Sequence, residues 1–397
     1  MKKLRLAVFN TQPPHLYFGG VERRIVENAG RLQSEVDTTV YSGTKAGFRK
    51  PAAVNGTRIV PCFSTDKLFP VDNWFFNNTL ARAADKIKAD VYESHAVSGY
   101  AFLKALRKQG AKQPFIQTVH GVLADEYTQA LQTAAPTLRA KLANLLMWQL
   151  AKHEGEAAKN ATLTVTISKY SVKKIQHFYG VDKTKIRIVP NGVDTQKFKP
   201  AKNCYALKRQ LGINNKPTIL FVGRLIPRKG LNFLTEAAKQ IIKEHHQTKF
   251  LIAGNGPLKN NLITHIKKTN LTKNFTILGD INEKTLPALY NCADIFALPS
   301  IQEGQGITLL EAQATAKPVV AFNVGGIPEA VLNQETGLLT KPDSNKLADA
   351  ILKLLENKSL REKMGNKARK FVVNNFSWDI CAKKMLKVYH EASTATA

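Results

Sequence analysis

Short apolar runs rich in Val, Ile and Phe alternate along the chain with amphipathic stretches of helical period. In the first half the runs fall at residues 4–9, 38–41, 90–93, 115–119, 163–167 and 186–189. In the second they fall at 218–222, 250–253, 275–278, 294–298 and 318–321. Strands that alternate with helices in this way predict parallel sheets covered on both faces, an α/β class. The pattern stops and restarts once, at PNGVDTQKFKPAKN over residues 190–203, a stretch rich in Pro, Asn, Lys and Gly. Two doubly wound domains are therefore expected, over residues 1–190 and 204–377, joined by a linker at 191–203. A last amphipathic helix within 378–397 is expected to pack back on the first domain.

Length and composition fit this division. A chain of 397 residues exceeds one typical domain, and a hydrophobic fraction of 44% is that of a globular protein. No apolar stretch is long enough to span a bilayer. The amino-terminal apolar run ends at Phe9, before Asn10, Thr11 and Gln12, and reads as a first strand rather than a leader. Cys62, Cys204, Cys292 and Cys381 match no metal or redox spacing, so a reducing, cytoplasmic setting is the default.

The formal charge of +28 changes the picture more. Residues 1–195 hold 28 Lys and Arg against 15 Asp and Glu, and the remainder hold 30 against 15. An excess spread this evenly is not a basic tail. It reads either as a solvated surface or as attraction to an anion: a phosphorylated donor, a lipid phosphate or an acidic membrane. No aromatic–basic interleaving, helix-turn-helix or finger pattern points to nucleic acid.

Three strand ends carry candidate chemistry. Gly19 and Gly20 precede a helix expected from Val21, where backbone amides favour an anion; a plain turn is the commoner meaning of such a pair. VGRLIPRKG sets Gly223, Arg224, Arg228 and Lys229 between a strand and a helix expected from Gly230. That is either a diphosphate clamp or a solvated basic loop. The strongest local signal is LPSIQEGQGITLLEAQATAKPVV. Here Glu303 sits in a loop with Gly304, Gln305 and Gly306, a helix is expected from Ile307, and Glu311 follows eight residues after Glu303. If helical, that spacing separates the carboxylates by roughly 10 Å, too far to share a proton but suited to two hydroxyl-bearing parts of one ligand. His120 ends a strand, where a structural role is commoner than a ligand contact, and Ser168 ends another, most simply as a helix cap.

Taken in order, GGVER, VHG at 119–121, PNGVD at 190–194, VGRLIPRKG, AGNGP at 253–257, LPSIQEGQGITLLEA, VGGIPEAV at 324–331 and FSW at 376–378 resemble the family 4 glycosyltransferases. The resemblance covers almost the whole chain, and its joint order, ending in E-x7-E, is specific. It implies the GT-B fold, two Rossmann-like domains facing across a cleft, and a retaining transferase that uses a nucleotide-diphosphate sugar. On it, Arg224 and Lys229 bind the diphosphate, Glu311 the ribose and Glu303 the donor sugar, beside the amides of Gly304, Gln305, Gly306 and Ile307. Gly223, Asn255, Gly279 and Ile281 line the nucleotide. His120 approaches the sugar from the first domain, Gly19 and Gly20 the phosphates, with Ser168 nearby. No metal and no cofactor is implied. Two departures concern the sugar: Gln305 stands where an aromatic is usual, and Ala316 where glycine is frequent.

The acceptor side is open: a sugar, a glycan or a lipid-linked sugar. Two segments bear on it, the basic run 104–112 and the apolar stretch 137–152 with Leu145, Leu146, Met147 and Trp148 between Lys141 and Lys152. The stretch reads as core-facing before it reads as a peripheral membrane face. A nucleotide-sugar 2-epimerase and a non-catalytic nucleotide-sugar-binding subunit are the alternative functions. E-x7-E with both cations present speaks against each.

Overall fold

The structure is a computed structural model that describes residues 3–17, 19–66, 71–132, 138–201 and 204–395. Residues 202–203 of the expected linker lie outside the described residues, as do Thr137 and the side chain of Lys141 in the apolar stretch.

The chain forms two compact units, one of Met1–Asn191 with Trp378–Ala397 and one of Gly192–Ser377. The first begins β1 (Leu4–Asn10), α1 (Gly20–Leu32), β2 (Val36–Gly43), β3 (Ala52–Val54), β4 (Thr57–Cys62) and α2 (Val71–Arg82). It continues with β5 (Val91–His95), α3 (Tyr100–Lys108), β6 (Phe115–Val119), α4 (Leu123–Gln132), α5 (Leu138–Asn160), β7 (Leu163–Thr166), α6 (Lys169–Tyr179) and β8 (Ile186–Ile188). Its sheet runs β3-β4-β2-β1-β5-β6-β7-β8, with only the β3–β4 pair antiparallel.

The period of two along β1 explains why both faces of this sheet are covered. Leu6 and Val8 join Val40, Ile116 and Val165 under α1 and the carboxy-terminal helix. Ala7 and Phe9 turn the other way, onto Phe76 and Leu80 of α2 and Phe102 and Leu106 of α3.

The second unit holds α7 (Tyr205–Gln210), β9 (Thr218–Val222), α8 (Leu231–Glu244), β10 (Lys249–Ala253), α9 (Lys259–Lys268), β11 (Phe275–Gly279) and α10 (Leu286–Cys292). Then come β12 (Ile295–Leu298), α11 (Ile307–Ala314), β13 (Val319–Phe322), α12 (Ile327–Ala330), β14 (Gly337–Thr340), α13 (Ser344–Glu356) and α14 (Lys358–Phe376). The strand order is β11-β10-β9-β12-β13-β14 and every pair is parallel, so all carboxyl ends lie at one edge. The last helix, α15 (Trp378–Thr394), packs on α1 in the first unit, burying Met385, Val388 and Tyr389. Among the described residues no helix is long and apolar enough to cross a membrane.

Three strands escaped the apolar pattern. β3 and β4 form an edge hairpin whose turn, Asn55-Gly56, sits between short runs interrupted by Arg58 and Pro61. β14 is four residues long and opens on a glycine.

Helix α11 ends in a Schellman motif: Ala316 N–H donates to Gln313 O at 2.9 Å and Lys317 N–H to Ala312 O at 3.0 Å. Ala316 takes φ +57° there, where a Cβ is strained. Ala316→Gly should stabilise the protein by about 0.5–1 kcal/mol, the relief of strain exceeding the added entropy of the unfolded chain. Urea unfolding measures this; an unchanged or lower midpoint would contradict it.

Candidate active site

Backbone bonds weld the loops at the carboxyl edge of the second sheet into one shelf. Gly223 N–H donates to Ala253 O at 3.0 Å, Leu225 N–H to Asn255 O at 2.9 Å and Gly254 N–H to Gly279 O at 2.7 Å. Gly223, Asn255 and Gly279 are thus brought together. The Asn255 amide is spent locally, donating to Asp280 Oδ2 at 3.1 Å and accepting from Gly256 N–H at 3.0 Å. Ile281 packs half-buried on the core beside them.

The next loops are coupled as tightly. Pro227–Lys229 makes a single helical turn closed by Gly230 at φ +62°, and a Cβ there would lie 2.0 Å from Pro299 O. Ile301 N–H donates to Arg228 O at 2.9 Å, which completes the contact between this turn and the loop after β12. On the far side, Gly326 N–H donates to Glu303 O at 2.9 Å, and Gly325, at φ +57°, leaves only 2.1 Å between a built Cβ and that same oxygen. Glu303 is therefore held by backbone from VGRLIPRKG on one side and VGGIP on the other.

The Glu303 carboxylate, 9% exposed, bonds the Lys229 ammonium. Arg228 Nη1 lies 3.8 Å from Oε1, and Ser300 Oγ donates to Oε2 at 3.3 Å. Burial pushes the Glu303 carboxyl up, but Lys229, Arg228 and the two hydrogen bonds outweigh it, and the group sits below the usual 4.5. Arg224 points into solvent, with no ion pair among the described residues. Glu311 is buried and accepts the Tyr290 hydroxyl at 2.7 Å, so a ribose would have to share that carboxylate. Gln305 is buried at 2% exposure, while Gly304 and Ile307 are half-buried on either side of Gly306, the N-cap of α11.

In the first unit, Gly19 caps α1 and Gly20 opens it. The Glu22 carboxylate folds back there: a Cβ on Gly19 would meet Glu22 Oε2 at 2.3 Å, and Asn10 Nδ2 donates to Oε1 at 3.1 Å. The positive end of α1, expected to attract phosphate, already faces a buried carboxylate whose pKa burial raises. Ser168 is buried and its Oγ accepts from Ser171 N–H at 3.1 Å; the cap reading holds, and the hydroxyl offers no face to a ligand. The apolar stretch divides. Leu150 and Ala151 face the core, but Leu145 and Trp148 are exposed, with Lys152 Nζ 3.6 Å over the Trp148 ring. The expectation of a core-facing segment fails for those two residues.

His120 Nε2 lies 2.8 Å from His95 Nδ1. His95 Nε2 is in turn 3.4 Å from Glu93 Oε1. Glu93 also accepts from Thr118 Oγ1 at 2.7 Å and from Tyr389 Oη at 2.6 Å. Arg24, fully buried, donates to Val189 O at 2.8 Å and to Asn191 Oδ1 at 3.3 Å. Burial and the Arg24 charge lower His95 to about 3, and burial, His95 and Arg24 take His120 well below 6.5. Glu93, His95, Arg24 and Tyr389 went unnoticed in the sequence. The signal was present in YESH, residues 92–95, where Glu93 and His95 point the same way from a fully buried strand.

The two largely parallel α/β sheets define a class, α/β transferases of the GT-B fold. Residues 18–197 match the family model Glycosyltransferase Family 4, and residues 206–371 match Glycosyl transferases group 1. The chain belongs to these glycosyltransferases. An uncharacterized glycosyltransferase of Methanocaldococcus jannaschii is 28% identical over 76% of this chain and 75% of its own length. A GDP-mannose-dependent alpha-(1-6)-phosphatidylinositol monomannoside mannosyltransferase of Mycobacterium tuberculosis is 32% identical over 55% of this chain and 59% of its own. The sucrose-phosphate synthase of Thermosynechococcus elongatus shares the fold at TM-score 0.83 and 21% identity, covering 99% of this chain and 100% of that one.

Because the folded-state pKa of Glu303 is depressed, its contribution to stability is present above the unfolded value and is lost as pH falls through the native one. Glu303→Gln should cost about 1–3 kcal/mol at pH 7, since the Lys229 ammonium loses its counter-charge. The gap should begin to narrow below pH 4.5 and close as pH falls through the lower native value, where the folded wild-type carboxyl also gains a proton. Urea midpoints of both proteins from pH 7 to the acid limit of folding test this; a gap independent of pH would refute it.

Proposed function

We propose that the protein is a retaining hexosyltransferase that takes its sugar from a nucleotide-diphosphate sugar and passes it to a glycan, lipid-linked or small-molecule acceptor. The observation that supports this most is the buried Lys229–Glu303 pair, with Arg228 beside it, at the carboxyl edge of the sheet in the unit matching Glycosyl transferases group 1. Ligands of open parallel sheets lie beyond that edge. When the anomeric bond breaks, negative charge grows on the leaving diphosphate. Lys229 would meet that charge as a pre-placed cation, and the exposed Arg224 would swing onto it. The Lys229 ammonium, bonded to Glu303 in the ligand-free state, keeps two protons for phosphate oxygens, because an ammonium carries three.

Glu303 has two tasks in this reading. It holds the ammonium in place, and its ionised oxygens accept from a hydroxyl of the donor sugar. Same-face attack, in which the departing phosphate oxygen takes the acceptor proton, is the retaining route proposed here. The exposed Leu145 and Trp148 beside Lys152, together with the +28 charge, support a lipid-linked acceptor reached at an anionic membrane face. A cytoplasmic setting suits both partners.

A thermal-shift panel of UDP, GDP, UDP-glucose, UDP-galactose and GDP-mannose tests the proposal. The matched donor should raise the melting temperature by mass action. Lys229→Ala should weaken binding of the matched nucleotide by about 2 kcal/mol or more. Glu303→Gln should cut turnover more than nucleotide affinity. Absence of stabilisation by every nucleotide at millimolar concentration would sink the proposal. A released, altered nucleotide sugar without any acceptor would identify an epimerase, and binding without any turnover a non-catalytic subunit.

A further inference from the structure

His120 is one end of a chain of polar contacts that starts in the last helix of the protein. Tyr389, on α15, donates to Glu93 Oε2 at 2.6 Å; Glu93 Oε1 is 3.4 Å from His95 Nε2; His95 Nδ1 is 2.8 Å from His120 Nε2. All four side chains come from different places: α15, two alternate positions of β5, and the end of β6. Glu93, His95 and Tyr389 are each about 2% exposed. Buried polar groups at such cost are retained where they fix a geometry.

The order of donors along the chain follows from the carboxylate. Glu93 accepts from two hydroxyls, those of Tyr389 and Thr118, and shares its surroundings with the buried Arg24 guanidinium. Burial raises the Glu93 carboxyl, while the Tyr389 hydroxyl, the Arg24 charge and the Thr118 hydroxyl pull it down; taken as the ionised form that these three partners favour, it has no proton to give. The single ring proton of a neutral His95 is therefore drawn to Nε2, facing Glu93, and Nδ1 is left as an acceptor. The proton in the 2.8 Å contact then belongs to His120 Nε2. A neutral His120 with its proton on Nε2 has only a lone pair on Nδ1.

We propose that Tyr389, Glu93 and His95 are positioning residues that lock His120 as a neutral imidazole whose Nδ1 is an acceptor. This rests on the proposed transferase function together with the family resemblance, which brings His120 to the donor sugar. It changes what His120 can do there. Nδ1 accepts a hydrogen bond from a sugar hydroxyl, and its lone pair faces the positive charge that develops on a sugar ring in glycosyl transfer. It gives no proton to a phosphate, and it disfavours a sugar that carries a carboxylate in place of that hydroxyl. A carboxylate backing an imidazole in this way fixes tautomer and orientation together.

Nitrogen-15 spectra of the histidine side chains test the lock without any donor, with His120 assigned by loss of its signals in His120→Gln. Among the described residues, the charged and titratable groups around the pair are Glu93, Arg24 and Tyr389. At pH 7 and at pH 5.5, His120 should show a protonated Nε2 and a bare Nδ1. Glu93→Gln, whose amide can donate to His95, should shift protons toward Nδ1 of both rings. The same variant should lose at least tenfold in kcat, with KM and the affinity for UDP or GDP unchanged. The rate is read with whichever of UDP-glucose, UDP-galactose and GDP-mannose the wild type turns over fastest. His95→Asn, which retains an acceptor near the Nδ1 position, should keep more of the rate than His95→Ala at equal melting temperature. A wild-type His120 protonated on Nδ1, or a Glu93→Gln protein with unaltered tautomers, overturns the proposal while leaving the transferase reading intact. Failure of every donor to turn over removes the transferase reading, and the spectra still decide the lock.

Discussion

The ionised carboxylate of Glu303 stands at 9% exposure because Lys229, Arg228 and Ser300 face it, and much of the second unit is arranged to bring them there. A lone charge at that depth would cost several kcal/mol or take up a proton. Meeting it requires two loops from different strands to approach within backbone contact. Gly230 allows the approach on one side, where a Cβ would strike Pro299 O, and Gly325 on the other, where it would strike Glu303 O. The all-parallel sheet supplies the remaining condition, because it delivers β9, β12 and β13 to the same edge in the order β9-β12-β13. Sheet order, glycine placement and charge pairing are consequences of one demand, that a charged pair be held in a dry place with little freedom.

The first unit meets a similar demand with different residues. Glu93 lies inside the sheet core at 2% exposure, and two hydroxyls and a nearby guanidinium stand around it. One of those hydroxyls, that of Tyr389, belongs to α15, separated from Glu93 by 296 positions in the chain. Arg24 binds the backbone at Val189 and the side chain of Asn191, where the chain leaves this unit. The carboxy-terminal helix is thus part of the polar interior beneath His120 as well as apolar cover for α1. Electrostatics also explains why both histidines stay neutral: a buried imidazole beside Arg24 has every reason to shed its second proton.

Much of this was legible in the sequence, and what was not had physical causes. Strands buried on both faces announce themselves as continuous apolar runs, which is why β1, β6, β9 and β12 could be placed. The β3–β4 hairpin carries Arg58 and Pro61 because an edge is half-solvated, and β14 is too short to show a period. The E-x7-E loop pointed to Glu303, but Lys229 pairing with it is a contact across 74 positions that no local pattern encodes. Glu22 was hidden for the opposite reason. It stands two residues from Gly20, where a first-turn acid is ordinary, and only the fold shows its carboxylate turned back onto Gly19. Ala316 was visible as a departure from glycine, but its meaning, φ +57° in a helix cap, needed the backbone.

The pairing of Lys229 with Glu303 also bears on how a diphosphate would be received. A flexible lysine on a basic surface must be immobilised when an anion arrives, at a cost in side-chain entropy of up to about 2 kcal/mol. Here the immobilisation is made during folding, because the ammonium already bonds a carboxylate that Ser300 Oγ and Arg228 also face, on a main chain bonded by Gly326 N–H. On the proposed function, an arriving diphosphate would share the ammonium rather than capture it. The carboxylate would keep part of that charge neutralised, tempering ground-state binding. As further negative charge built on the leaving oxygen, the ammonium would be drawn toward it more strongly than toward Glu303. Such an arrangement would favour the transition state over the bound nucleotide, and that difference, more than tight binding, is what accelerates a reaction.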